Sequence, residues 1–447
     1  MEQPLQEISR LLGTMSILIH NALIVDGERE PRRGWLLTDG ELIAALGDGD
    51  VPADIIDRAG ETVDARGAML MPGTIDCHVH FREPGMTHKA DIAGESRAAV
   101  AGGVTSYIDM PNTRPATVTI ADWQAKMSRA AEVSAANYAF MVGATADNLA
   151  ELQKLDLTAV PAVKVFMGSS TGNMLLDSER ELSAVFADQP ARVVVHAEAQ
   201  DIIDANTAAA RPIDDPGDMM WHTRLRDNRA CVAATECAMT LAARYGTRLH
   251  VAHVTTRDEC SLFDPADTPV GKQITAEVSP HHLLNCSDDY ARLGSRIKMN
   301  PAVKSAADRD ALRSALRDGR LDIVATDHAP HLLSEKAGDV FTAVSGAPLV
   351  QFSLPVMLDL YDDPTLVVRR MAIGPADLFG IDRRGRLRPG HYADLVIVER
   401  LDTPHIITDA DVISRCGWTP LIGRPLTHRI VRTIINGDGN ARPLSFV

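Results

Sequence analysis

Aromatic side chains are scarce, at 4% of 447 residues, and only six cysteines occur, at positions 77, 231, 237, 260, 286 and 416. None form a CxxC pair, so a four-cysteine zinc site finds no support and free thiols in a reducing compartment are expected. Long apolar runs are missing as well. The longest are strand-sized, short of the ~20 residues a membrane span needs. The opening stretch, MEQPLQEISRLLGTMSILIHNALIV, lacks a basic segment followed by an apolar core and a small-residue cleavage site. Met15 offers a second start, because residues 1–14 add little to the pattern that follows. No dense Lys/Arg run appears, and sixty acidic against forty-five basic side chains leave a formal charge of −15. Such a chain repels phosphate backbones and anionic lipid. A cytoplasmic protein that binds neither nucleic acid nor membrane is the expectation.

What the chain does contain is a change of texture. From about residue 16 to 67, short alternating runs (SILIHNALIV, WLLTDGELIAAL) are separated by Gly/Asp turns and read as a small antiparallel sheet. The same texture returns after about 383, in RLRPGHYADLVIVE and HRIVRTIINGD. Between them, strand-like runs alternate mostly with Ala-rich or amphipathic stretches of helical length. Strands are expected at 71–80, 104–110, 137–143, 161–167, 192–198, 248–254, 273–279 and 321–327. Eight such units point to an α/β fold, a closed (β/α)8 TIM barrel. The expected organisation is a catalytic barrel over residues 68–382. Residues 1–67 and 383–447 together form a small β-sandwich domain built from both termini.

In such a barrel, reactive side chains sit at the C-terminal strand ends. His78 and His80 close the first strand, spaced by two and therefore on one side of it. Lys164 lies in the apolar run Ala162-Val163-Lys164-Val165-Phe166, His196 follows three valines, His253 shares a face with Leu249 and Val251, and Asp327 ends the eighth strand. Singly, each has a plain structural reading: a hydrogen-bonded core histidine, or an aspartate capping a helix. Lysine is the exception, because burying an ammonium is costly unless it is paired or neutralised. Convergence of five strand tips on one mouth favours a metal site. Imidazole and carboxylate donors suit zinc or another divalent metal. A neutral lysine amine reacts with CO₂ to give a carbamate, an anion able to bridge two metals. Zinc lowers the pKa of bound water from ~15.7 to ~7, which makes a hydrolytic nucleophile at neutral pH.

Three motifs extend this reading: Asp76-Cys77-His78-Val79-His80-Phe81-Arg82-Glu83-Pro84-Gly85, Met110-Pro111-Asn112-Thr113 and Asp327-His328-Ala329-Pro330-His331. Together they resemble the dihydroorotases of the amidohydrolase superfamily, over about residues 68–380. Pro389-Gly390-His391-Tyr392-Ala393-Asp394-Leu395 resembles that superfamily's composite β domain. The resemblance implies two zinc ions per subunit and interconversion of L-dihydroorotate and N-carbamoyl-L-aspartate in pyrimidine synthesis. It places His78, His80 and Asp327 on one metal, His196 and His253 on the other, and carbamylated Lys164 between them. Asp327 doubles as the catalytic base and then acid. Substrate contacts are implied for Arg82, Asn112 and His331, and, from relatives that bridge with aspartate instead of lysine, for Asn300, Ser345 and Gly346. Thr171 falls at the offset of a substrate lid. A homodimer and an association with aspartate transcarbamoylase are the implied partners.

Related barrels open other cyclic amides, so the metal donors alone do not choose the substrate. Arg82 is the discriminating residue. Dihydroorotate carries a ring carboxylate that a guanidinium takes bidentately, and allantoin and simple hydantoins carry none there. The structural alternative for Arg82 is a salt bridge with Glu83 or Glu95. A hydantoinase or allantoinase, and a non-catalytic scaffold, are the competing functions. His281 and His282, at the seventh strand's end, are expected behind the metal donors or beside the substrate. His88, His222, His250 and His328 receive no role.

Overall fold

A computed structural model describes residues 16–168, 174–176, 178–187 and 189–447. The barrel strands are β6 (Thr74–Val79), β7 (Val104–Asp109), β8 and β9 (Asn137–Phe140 and Val142–Gly143), β10 (Ala162–Met167), β11 (Arg192–Ala197), β12 (Leu249–Val251), β13 (Ile274–Val278) and β14 (Ile323–Val324). All pair in parallel. The third strand is split at Met141. Its first half pairs with β7 and its second with β10. The other seam lies between the eighth strand and the first. There Thr326 donates from its amide and hydroxyl to the Asp76 carboxylate at 3.0 and 2.6 Å, and the His80 amide donates to the His328 carbonyl at 2.8 Å.

These strands are buried on both faces, so they read as near-continuous apolar runs rich in β-branched residues. Alternation still sorts their side chains. On β11, Val193 and Val195 join the cluster under the surrounding helices, whereas Val194 joins the inner one. Ala162 is its inner counterpart on β10. The period of two then brings Lys164 and His196 to the inner face as well. On β6 the pairing register shifts between Asp76 and Val79. Cys77 belongs to the inner cluster and Val79 to an outer one. This irregularity re-aims the end of the strand, as bulges do, and delivers His78 and His80 to the mouth.

The second domain is a seven-stranded sheet in the order β16-β15-β5-β1-β2-β3, with β4 also on β1. It comprises β1 (Ile17–Ile24), β2 (Arg32–Asp39), β3 (Leu42–Asp48), β4 (Glu61–Asp64), β5 (Met69–Pro72), β15 (Leu395–Ile406) and β16 (Pro425–Ile434). The sheet is mixed, not purely antiparallel as expected. β1 runs parallel to β4 through its first half and to β5 through its second, so two short strands share one edge of it. Ile17 and Ile19 face one apolar cluster and Leu18 the opposite one, which buries the sheet on both sides. Gly73 alone separates β5 from the barrel's first strand. A Cβ there would lie 2.2 Å from the Thr105 side chain, so only glycine permits this junction.

The Asp76 seam leads to a test. Replacing Asp76 with alanine strands the Thr326 amide and hydroxyl in a dry interior, at a cost of about 3 kcal/mol. Urea unfolding of Asp76→Ala should show a loss of that size. A change below ~0.5 kcal/mol, the scatter of ordinary surface substitutions, would mean that the seam does not depend on this carboxylate.

Candidate functional site

The C-terminal strand ends open into a cavity of about 500 Å³. His78, His80, Lys164, His196, His253 and Asp327 all line it, and so do Arg82, Asn112, Asn300, His331, Ser345 and Gly346. Thr171 lies outside the described residues. His281 and His282 are buried behind the wall and do not line the cavity; His282 Nε2 is 3.0 Å from the Pro301 carbonyl.

Two sets of donor atoms face each other. On one side the ligand atoms of His78, His80 and Asp327 lie within 4.8 Å of one another, with Asp327 Oδ1 3.0 Å from His80 Nε2 and 3.5 Å from His78 Nε2. On the other, His196 Nδ1 and His253 Nε2 approach to 3.0 Å. Between them in the chain stands Lys164, fully buried, its Nζ without a hydrogen-bond partner among the described residues. Burial draws this amine down to about 8, so a sizeable neutral fraction exists near physiological pH. Burial likewise lowers His80 to about 4 and holds His253 well below the ordinary histidine range. Burial opposes the charge on Asp327, yet the adjacent His78 and His80 keep it ionised. Neutral imidazoles, an ionised carboxylate and an orphaned amine fit divalent-metal binding.

The donors are held from behind. His78 Nδ1 is 2.5 Å from Glu277 Oε1, His80 Nδ1 is 2.7 Å from Asn112 Oδ1, and His196 Nε2 is 3.0 Å from Glu198 Oε2. Each contact settles which ring nitrogen carries the hydrogen and leaves the other as a lone pair for a cation. Glu198 is itself clamped by Arg226 Nη2 at 2.6 Å. Glu277 also meets His250 Nε2 at 3.1 Å, and His250 Nδ1 lies 2.9 Å from the Thr275 hydroxyl. None of Glu277, Glu198, Arg226 or His250 was singled out from sequence. The signal for Glu277 was the one that flagged Lys164: a charge within an apolar strand, here Ile274-Thr275-Ala276-Glu277-Val278.

The opposite wall is basic. Arg82 is 7% exposed and donates from Nε to the Pro330 carbonyl at 3.0 Å, and its Nη2 lies 3.0 Å from His331 Nε2. It forms no salt bridge with either neighbouring glutamate. Glu83 is taken by Arg129 and the Ile92 amide, and Glu95 by His328, Ser414 and the Arg415 amide. Asn300 Oδ1 is buried without a partner among the described residues. The loop carrying Ser345 and Gly346 is pinned from beneath by the buried Lys336, whose Nζ donates to the carbonyls of Lys298, Val344 and Gly346 at 3.0, 2.7 and 2.8 Å. Gly346 adopts φ +124°, and a Cβ there would press on Ala329 and His331. Arg82, His253 and Asp327 all hold positive φ, at 65°, 37° and 50°. Such conformations cost of order 1–3 kcal/mol each and persist where surrounding contacts over-determine them.

The model of the amidohydrolase family matches residues 69–438. A dihydroorotase of Halobacterium salinarum is 38% identical over 416 residues, covering 91% of this chain and 92% of that one. The dihydroorotase of Lactiplantibacillus plantarum is 31% identical over 438 residues, covering 95% and 98%. Among solved structures, the L-hydantoinase (dihydropyrimidinase) of Arthrobacter aurescens superposes with a TM-score of 0.88 at 28% identity over 97% of both chains. A D-hydantoinase of Thermus sp., at 22% identity and TM-score 0.83, shares the fold. No helix among the described residues is long and apolar enough to cross a membrane.

Glu277 supplies the test of this geometry. In Glu277→Gln the amide group still fills the space, but it no longer demands the Nδ1–H form of His78. Metal affinity, measured by competition with a chelator, should weaken about 10–100-fold. Unchanged affinity would show that His78 keeps its tautomer without help.

Proposed function

From membership of the amidohydrolase family, to which this chain belongs, we propose that it is a dihydroorotase. It interconverts L-dihydroorotate and N-carbamoyl-L-aspartate, with two zinc ions per subunit. The observation that carries this reading is the placement of Arg82 and His331 in one cavity with His78, His80, Lys164, His196, His253 and Asp327, with no ion pair to Arg82 among the described residues.

His78, His80 and Asp327 would hold one ion, His196 and His253 the other, and Lys164, as its carbamate, would join the two. When bound, such a pair supplies an ionised water at neutral pH and draws charge from the amide carbonyl. The remaining work belongs to the chain. Asp327 Oδ takes the one remaining proton of that ionised water as it attacks and returns it to the ring nitrogen that leaves. Arg82 and His331 grip the ring carboxylate, and the strained backbone at Arg82 fixes where that grip lies relative to Asp327. Asn112 Oδ1 faces His80 Nδ1, which turns its two amide hydrogens toward the substrate. Asn300 Oδ1 and the backbone at Ser345–Gly346, which line the same cavity, serve as acceptors for the ring N–H groups. Ring closure follows the same path in reverse, favoured when carbamoyl aspartate is protonated. The expected homodimer and the association with an aspartate transcarbamoylase belong to the same reading.

Similarity to the L-hydantoinase favours one rival substrate class, the neutral ring. Arg82 separates the two. With zinc and bicarbonate supplied, turnover should be confined to dihydroorotate when it is compared with dihydrouracil and allantoin; turnover of the neutral rings instead would make Arg82 structural and overturn the assignment.

Two variants divide the site into its parts. Arg82→Met removes a charge-assisted contact worth about 2–3 kcal/mol, so KM for dihydroorotate should rise ~30–150-fold while zinc remains bound. An unchanged KM would refute the carboxylate grip. Lys164→Ala should lose bound metal and at least ~100-fold in activity, because the shared anionic ligand is gone. Full zinc content and activity in that variant would refute the carbamate.

A further inference from the structure

His331 is flanked by two cations. Its Nε2 lies 3.0 Å from Arg82 Nη2, and its Nδ1 lies 3.1 Å from Lys89 Nζ. An ammonium and a guanidinium carry only donors, whereas a neutral imidazole has one N–H and one lone pair. One of the two contacts is therefore a hydrogen bond and the other sets N–H against N–H. Imidazolium is no escape. Burial, together with Arg82 and Lys89, holds His331 far below the ordinary histidine range.

The surroundings decide which contact is the bond. Lys89 is anchored by Glu335 Oε1 at 2.7 Å, and Glu335 is in turn oriented by the Leu332 amide at 2.9 Å. One Lys89 hydrogen thus goes to Glu335, and its contact with Nδ1 needs the lone pair there. Arg82 is fixed independently by the Pro330 carbonyl, and it lines the cavity together with His331.

We propose that Lys89 is a positioning residue that locks His331 in the Nε2–H tautomer. His331 and Arg82 then present two converging donors, which an anionic oxygen satisfies best. Lys89 does not line the cavity; it acts through the ring. An oxygen of the substrate carboxylate accepts from both Nε2–H and Nη2–H, whereas a neutral ring leaves the two hydrogens opposed. Selectivity for a carboxylate-bearing ring over its neutral counterpart thus depends on a lysine outside the pocket. This inference rests on the dihydroorotase reading for its substrate, but the tautomer itself does not.

The experiment uses the zinc-loaded protein labelled with ¹⁵N-histidine, the His331 resonances being assigned by their loss in His331→Asn. Wild-type His331 should show a protonated Nε2 and a lone-pair Nδ1, and malonate, a plain dicarboxylate, should shift Nε2. In Lys89→Met the protonation pattern should reverse, and Lys89→Arg, which keeps a donor at Nδ1, should restore it. For Lys89→Met, KM for dihydroorotate should rise about 10–100-fold with kcat changed less than about 3-fold. Its preference for dihydroorotate over dihydrouracil should fall by a similar factor. A wild-type His331 protonated at Nδ1, or a Lys89→Met spectrum with Nε2 still protonated, overturns the proposal. A loss confined to kcat overturns it too. Should wild type ignore dihydroorotate yet show the Nε2–H form and its reversal in Lys89→Met, the substrate reading fails and the role of Lys89 stands.

Discussion

An imidazole can offer a lone pair to a cation only while the hydrogen sits on its other nitrogen, and in a dry interior something must hold that hydrogen in place. The mouth of this barrel is arranged around that constraint. Glu277 accepts from His78, Asn112 from His80 and Glu198 from His196, each across 3.0 Å or less. His253 departs from the pattern. Its Nδ1 is buried without a partner, and what fixes the ring is its backbone: positive φ, with its amide donating to Glu277 Oε1 at 3.3 Å. Glu277 therefore serves both halves of the site, one through a ring and the other through a main chain.

Carboxylates so deeply buried are expensive, and their satisfaction shapes the barrel beyond the mouth. Glu277 is 2% exposed and Glu198 fully buried. Burial disfavours the charge on each, but His78 and His250 around Glu277, and Arg226 and His196 around Glu198, hold both well below the usual carboxylate range. His250 spans β12 to β13, tying Glu277 to Thr275 one turn of the pleat deeper. Polar contacts of this kind tolerate little displacement, because a misplaced partner leaves a bare charge in apolar surroundings. The barrel core below the site is thus specified by polar geometry as well as by the valines of β11.

Much of this was legible in the sequence. The alternation of short apolar runs with helix-length stretches located every barrel strand, and the five strand tips bearing His78, His80, Lys164, His196, His253 and Asp327 do meet around one cavity. The parallel pairing of β1 was not legible. Strands β4 and β5 sit on the same edge of it only because the chain returns through two separate turns, and periodicity carries no direction. Glu277 was written as plainly as Lys164, a charge amid apolar strand residues, and Glu198 stands directly after the apolar run of β11. They were passed over because a glutamate is a common sight and a partnered carboxylate announces nothing until its partner is placed. Lys89 could not be read at all. It stands 242 positions from His331, in a segment with no periodicity, and its meaning lies in which ring nitrogen it touches.

On the role proposed for Lys89, that last contact is where specificity is stored. Relatives of this chain are named dihydroorotase and hydantoinase on one fold, so the choice between charged and neutral rings falls, on that proposal, to the basic wall. There the folded chain keeps a guanidinium, an imidazole and an ammonium in a row, and Glu335 pairs with the ammonium of Lys89. Arg82 is buried with no ion pair among the described residues, and a buried unpaired cation costs free energy. In the proposed reading, a substrate carboxylate entering between Arg82 and His331 relieves that cost, and the free protein carries the penalty until it arrives. The same penalty tells against a ring without a carboxylate, which would enclose two opposed donors and leave the positive wall unbalanced. Discrimination then comes from what the wrong ring fails to neutralise, and this is why a residue outside the pocket can govern it.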